Sequence, residues 1–527
     1  MNKTIKRFIS ILLCCAMMTT LIACSKSNDK KEPSGNSSNS EKGTSQQDTT
    51  ADPEQEIVTI KICFPTLLYN PSAEGTQQTE DAINKYLESI GDYVRVDLEP
   101  IDGTNYLTEL NLKLTSGEVV DLFCPLTGVE LAVSQEQVLP LDDYLDNELA
   151  DTVAIVGEYM KAGYVGGHSY AVPCWKEYGL SCYYFYRADI AEELGFTEDK
   201  IKTLDDVEKL LMAVKEAYPN MYGFVPTGGA ANAGNTLMLE SVLGGPKHYK
   251  VDELTSGVGI VGDDLTIRNI YDTEYFREVC ETAYRWNQAG LIMPDASFTS
   301  ELGRDLIQAG RAFSVITGYG STGQYEDMGE FYTKELGYPI KAAVLDTFLI
   351  TSSRCSPSWS ISYNCKNPRA AARVLNYLYT DEFVENTLLN GVEGIHYVKN
   401  ADGSISLPEG VEPDTSTYYC FISCGIVGSM AIQWQWDEAK PITKTIDQAN
   451  AEATMSEAFG FAVRADNFAT EASAISNIKN KYLYGLICGE LNPDEYLPKF
   501  LQELNDAGIN NVIEDVQAQF DEFLKNK

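Results

Sequence analysis

IVTIKICFPTLLYNPSAEGTQQTEDAINKYLESIGDYVRVDLEPIDGTNYLTELNLKLTSGEVVDLFC occupies residues 57–124. Its opening IVTIKICF (57–64) is short and β-branched, and reads as a strand. Residues 76–90 carry Ala82, Ile83, Tyr86, Leu87 and Ile90 at helical spacing, and Gly91 stops that helix. VRVDLEPI (94–101) alternates as a second strand. YLTELNLKLTSGE (106–118) is a helix ending at Gly117, and VVDLFC (119–124) is a third strand. Strand, helix, strand, helix, strand predicts an α/β fold with a parallel sheet and covering helices. In such sheets the ligand crevice lies beyond the carboxyl ends of the strands.

Upstream, LLCCAMMTTLIACSKSNDKK (12–31) changes character abruptly at Cys24. Lys3, Lys6 and Arg7 make a basic start, and Phe8 to Ile22 is apolar but too short to span a bilayer. Those are marks of an export signal over 1–23. Leu-Ile-Ala-Cys resembles a bacterial lipobox, which implies lipidation at Cys24. Residues 25–56 hold no aromatic and no large aliphatic side chain. Such a segment does not bury enough apolar surface to order itself. It reads as a tether (24–56) with a reach of roughly 30 Å. Two or more acyl chains anchor stably where one does not.

The body that follows exceeds one ordinary core, so two lobes are expected. A net charge of −37 repels nucleic acid, and its first meaning is solubility. Of thirteen cysteines, two leave with the signal and one is lipidated. The other ten are scattered without a C-x-x-C pair and read as small buried hydrophobes. Cys420 with Cys424, or Cys174 with Cys182, are the pairings a disulfide could use. The three histidines, His168, His248 and His396, have no metal-helix spacing. No G-x-S-x-G, P-loop or G-x-G-x-x-G occurs, and GYGSTGQ (318–324) lacks the lysine for phosphate. Nothing here argues for catalysis, a metal or a cofactor.

A resemblance then becomes specific. SGEVVDLF, VLPLDDYL and GGHSYAVPCWKEYGLSCYYFYRADIAEELGF (166–196) follow, in order, the pattern of bacterial extracellular solute-binding proteins of ABC importers. IKTLDDVEKLLMAVKEAYPNMYGF (201–224), EYFREVCETAYRWNQAGLIMPDA (274–296) and NPRAAARVLNYLYTDEFVENTLLNGVEGIHYV (367–398) are similar to its helices. EAFGFAV (457–463) and residues 482–523 resemble the extended C-terminal region of the carbohydrate-type, LipO-like lipoproteins. CFISCGIVGSM (420–430) matches no family role.

The resemblance implies two α/β lobes, a ligand cleft between them and chain crossings near Pro173, near Trp359 and around 400–430. Lobe one is then 57–172 plus 360–405, and lobe two 173–359 plus 406–527. It further implies a monomer outside a Gram-positive cell, held to the membrane by lipid, that captures an oligosaccharide and hands it to ABC importer permease subunits. A peptide or amino-acid-derived solute is the alternative ligand, and a secreted glycan-active enzyme a more distant one. Sugar rings pack their C–H faces on aromatic planes and need a few fixed polar partners. On that basis the expected ligand residues are Trp175, Glu177, Tyr178, Tyr319, Trp359, Trp434, Trp436 and Asp437. Trp286 lies on a helical apolar stripe and is expected in the core.

Overall fold

The computed structural model describes residues 57–67, 69–228, 236–320, 328–420, 425–437 and 445–526. The export signal, Cys24, the tether and Cys424 lie outside them. The first strand, β1 (Val58–Thr66), buries Ile60, Ile62, Cys63 and Phe64, as a central strand covered on both faces must. Helix α1 (Ala73–Ser89) starts where the Ser72 side chain accepts from Gly75 N at 3.0 Å. It buries Gly75, Thr79, Ile83 and Leu87, one per turn. β2 (Val94–Asp102) runs parallel to β1 in register Val58↔Val94. Helix α2 (Tyr106–Ser116) ends at Gly117, whose φ of 78° supplies the left-handed cap. β3 (Leu122–Phe123) then pairs parallel to β1. The expected strand–helix alternation is therefore present, with a third strand shorter than its apolar run.

The chain continues through α3 (Val129–Ser134) to β4 (Val172–Pro173). β5 (Leu180–Arg187) opens a second sheet. Helix α4 (Leu204–Ala217), closed by a Thr203–Asp206 capping box, leads to β6 (Tyr222–Phe224) and α5 (Leu239–Leu243). Helix α6 (Glu274–Gln288) brings Trp286 edge-on to Phe224 at 5.7 Å, fully buried as expected. β7 (Ala312–Gly320) lies antiparallel to β5 and parallel to β6, and β8 (Ile340–Thr347) pairs antiparallel on the far side of β5.

β9 (Ser358–Ile361) returns to the first sheet, whose order is β2-β1-β3-β9-β4. The second sheet is ordered β8-β5-β7-β6. Helices α7 (Pro368–Thr380) and α8 (Glu382–Asn390) pack on the first sheet's core. The last three, α9 (Ala469–Ile487), α10 (Pro493–Asp506) and α11 (Ile509–Asn526), join the second core through Leu486, Phe500, Val512 and Phe520. Two α/β cores give the two-lobe architecture. Among the described residues no helix is long and apolar enough to cross a membrane.

The lobe boundaries differ from those expected. Tyr418, Cys420, Val427 and Ile446 belong to the first core, beside Ile60 and Leu375, not to lobe two. The cause is long-range hydrogen bonding. Ser72 N donates to Thr417 O at 2.8 Å and Leu67 N to Cys420 O at 3.1 Å, so this segment is stitched to the loop after β1. Trp175, Tyr178, Ile350 and Trp359 also pack in the first core. The crossings therefore lie between β4 and β5, between β8 and β9, and after Ile446, where Phe459 joins the first core and Phe461 the second. The expected crossing at 400–430 is displaced to that last segment. Two crossings touch, since Ser456 N donates to Ile350 O at 2.9 Å. Cys174 and Cys182 are both buried free thiols, so that pairing is not formed.

Candidate functional site

The carboxyl end of β1 sets the site. Thr66 hydrogen-bonds Asn70, and Asn70 Nδ2 donates to Asp102 Oδ2 at 2.8 Å, which ties the loop after β1 to the end of β2. Hydrogen bonds from Thr104 and Asn70 hold the Asp102 carboxyl below the usual range. This loop presents Tyr69, half-buried, 5.3 Å from the half-buried Tyr419. Tyr419 in turn meets Trp436 edge-on at 5.4 Å. The result is a row of three aromatic rings on the rim of lobe one, where an open parallel sheet leaves its crevice.

Trp436 is carried by a strap, residues 427–437, threaded between two supports. On one side Trp175 N donates to Gly428 O at 2.8 Å and Met430 N to Trp175 O at 2.9 Å. On the other, three side chains of α8 hold it. Gln433 Nε2 donates to Glu385 Oε1 at 2.7 Å. Trp434 N donates to Asn386 Oδ1 at 2.7 Å, and Asn386 Nδ2 to Ile432 O at 2.8 Å. The Trp434 indole N–H donates to Glu382. Asp437 N donates to Ile405 O at 2.9 Å, which finishes the strap, and the Asp437 side chain is exposed.

Trp434 differs from Trp436. Tyr397 lies 5.5 Å from its ring, and Lys399 Nζ stands 3.8 Å over it. One face is thus already occupied by a cation–π contact.

Three of the expected ligand residues are structural. Trp175 is 4% exposed and packs on Tyr159 at 5.6 Å and Tyr178 at 5.9 Å. Tyr178 is fully buried and its hydroxyl donates to Cys174 O at 2.7 Å. Trp359 is fully buried, its indole N–H donating to Ile426 O at 2.7 Å. Each has its faces against protein, so none has a face left for a sugar. Tyr319 lies at the end of β7, paired with Ser181, and its side chain is outside the described residues.

Glu177 stands between these groups. It remains partly open to solvent, yet burial pushes its carboxyl pKa up. Glu130 on α3 and Glu240 on α5 show the same combination. A carboxyl that is desolvated yet partly open is able to pair with a hydroxyl. Tyr69, Tyr419, Glu130 and Glu240 went unnoticed in the sequence. Tyr69 had a signal: an aromatic three residues beyond the end of the first parallel strand.

A two-lobed α/β protein, with a row of half-buried rings at the carboxyl end of its parallel strands, is a two-lobe solute binder. The chain belongs to the bacterial extracellular solute-binding protein family, whose profile matches residues 72–385. A domain of unknown function matches 457–525, which takes in α9 to α11. A carbohydrate ABC transporter substrate-binding protein of Streptococcus pneumoniae serotype 4 is 23% identical over 381 residues, 70% of this chain and 72% of the relative. The N-glycan transport solute binding protein NgtS of Streptococcus pneumoniae superposes with a TM-score of 0.70 at 20% identity, covering 89% of this chain and 99% of its own. The S. pneumoniae substrate binding protein FusA, in complex with kestose, gives 0.57 at 15% identity over 89% and 100%. These likenesses share the fold. Membership places the chain among extracellular binding proteins of ABC importers, which capture solutes and are not enzymes.

Proposed function

We propose that this protein is a lipid-anchored receptor that captures an oligosaccharide on the outer face of a Gram-positive cell and presents it to ABC permease subunits. The row Tyr69–Tyr419–Trp436 carries the reading. Stacked C–H faces suit such rings, and the partly open Glu177, Glu130 and Glu240 supply acceptors for hydroxyls. The carbohydrate importer relative and the sugar-complexed structural neighbours support the same ligand class. Trp434, Trp436, Glu177 and Asp437 remain as proposed ligand residues, joined by Tyr69 and Tyr419. The protein acts as a monomer, with Cys24 lipidated and 25–56 as the leash.

Two lobes joined by three crossings rotate about them, and a ligand touching both favours closure. Closure converts capture into a shape the permease reads. The decisive experiment is calorimetry against Man5GlcNAc, kestose and a tripeptide mixture. Saccharide binding is expected, with a stabilisation of about 2.7 kcal/mol at a hundredfold excess over Kd. Binding of peptide alone overturns the carbohydrate reading. Cys24→Ser is expected to release the protein to the medium on fractionation; retention on the membrane overturns the anchor.

A further inference from the structure

Beneath the strap sits a carboxyl group with no ion-pair partner among the described residues. Glu385 is 0% exposed. Its Oε1 accepts from Gln433, while its Oε2 finds no hydrogen-bond partner among the described residues. The Ser429 backbone amide also favours the charged form, and burial outweighs both. Gly428 lies directly on this carboxyl. A Cβ there would stand 2.6 Å from Glu385 Oε2 and 1.9 Å from Leu378 O, so only glycine fits.

Among the described residues, Tyr379 and Cys174 face Glu385 uncharged at neutral pH, while the ionisable neighbours are Glu382 and, against Gly425 and Met430 beside the strap, Lys176. From α7 comes Tyr379, and from the segment after β4 comes Cys174, whose thiol burial pushes up to about 12. From the strap come Gln433 and Ser429, both uncharged. On α8 itself, Glu382 is engaged with the Trp434 indole.

We infer that Glu385 is a positioning residue which keeps the aromatic strap seated only while it is protonated, so that solute capture weakens at alkaline pH. The inference rests on the reading that the strap meets the sugar. Desolvation raises the Glu385 pKa from 4.5 to about 8. A carboxyl with a raised folded pKa favours the fold at low pH. Its contribution falls between pH 4.5 and about 8 and is flat above. Above that pH an uncompensated charge lies under Gly428. Lifting the strap off α8 hydrates it, and carries Trp436 out of line with Tyr419.

The test compares wild type with Glu385→Gln from pH 6 to 9.5. One readout is the tryptophan fluorescence of ligand-free protein, and the other is Man5GlcNAc affinity. Wild type is expected to show a fluorescence transition complete by about pH 8, with a plateau affinity above it about tenfold or more below that at the acid end. Glu385→Gln stays neutral, so both profiles should be flat. Identical profiles in the two proteins overturn the inference. A fluorescence transition that vanishes in Glu385→Gln, with Man5GlcNAc affinity insensitive to Trp436→Ala, keeps the latch and overturns the site reading instead. Should Glu385→Gln fail to fold, Gln433→Met removes the amide that favours the charged form and should move the midpoint upward. An unmoved midpoint overturns the proposal.

Discussion

Two aromatic groups lie close in the sequence pattern yet do opposite work. At the crossings, Tyr159, Trp175, Tyr178 and Phe459 pack ring against ring, and the Tyr178 hydroxyl and backbone amide are both bonded. On the rim, Tyr69, Tyr419 and Trp436 meet in a row and keep part of their surface open. The first group closes on itself within the first core, beside the crossings. The second waits for something planar. What separates them is burial on all sides against burial on one, a property of the neighbours rather than of the residue type.

The largest expected effect falls on the crossing. Trp175→Ala removes a buried ring from between Tyr159 and Tyr178 and should cost about 3–5 kcal/mol of stability, read as a lower denaturation midpoint. A midpoint unchanged by that truncation would break the comparison at its strongest point.

Next is the pH dependence of the last crossing. Asp252 is buried, accepts from Ser456 and carries a pKa raised from 3.8 to about 6, chiefly by desolvation. Its stabilising contribution is complete below pH 3.8 and is lost by about pH 6. A rise of that size corresponds to about 3 kcal/mol. Asp252→Asn should remove that slope from a plot of stability against pH, and an unaltered slope assigns it to other groups.

On the rim the effects move from stability to affinity. Trp436→Ala should weaken oligosaccharide binding by about 1–3 kcal/mol while the denaturation midpoint stays close to wild type. A folded variant with wild-type affinity would take the row out of the site. Trp434→Ala should lose less affinity, under about 1 kcal/mol, because Lys399 and Tyr397 already cover that ring. Equal losses at both tryptophans would show that the coverage is exchanged for ligand.

Much of the fold was legible. Ile60, Ile62 and Phe64 announced a covered strand, and Ile83 and Leu87 the buried stripe of the helix after it. The segments 367–398 and 482–523 were legible through their resemblance to the family, and both are helical here. The stretch after the first of them was not. The described residues of 406–446 contain few regular elements, and bonds that bind them to lobe one link Thr417 and Cys420 to Ser72 and Leu67. Contacts across that sequence distance leave no local pattern. The site suffered the same way. In TYYC (417–420), Tyr418 is buried with its hydroxyl on Leu388 O, while its neighbour Tyr419 joins the rim. Trp175 and Trp436 look alike as letters, and only the partners around each tell them apart.

The strap is held by α8 of lobe one, and the chain is still in the same core at Ile446. It also falls in the interval between the two matched profiles, 72–385 and 457–525. A piece that starts and finishes on one wall is exchangeable. Grafting the strap of a relative here would interrupt neither sheet and none of the three crossings, with the two hydrogen bonds to Trp175 as the contacts to preserve. On the proposed reading, such an exchange would change the rings that meet the ligand and keep the frame, much as an antibody trades a loop.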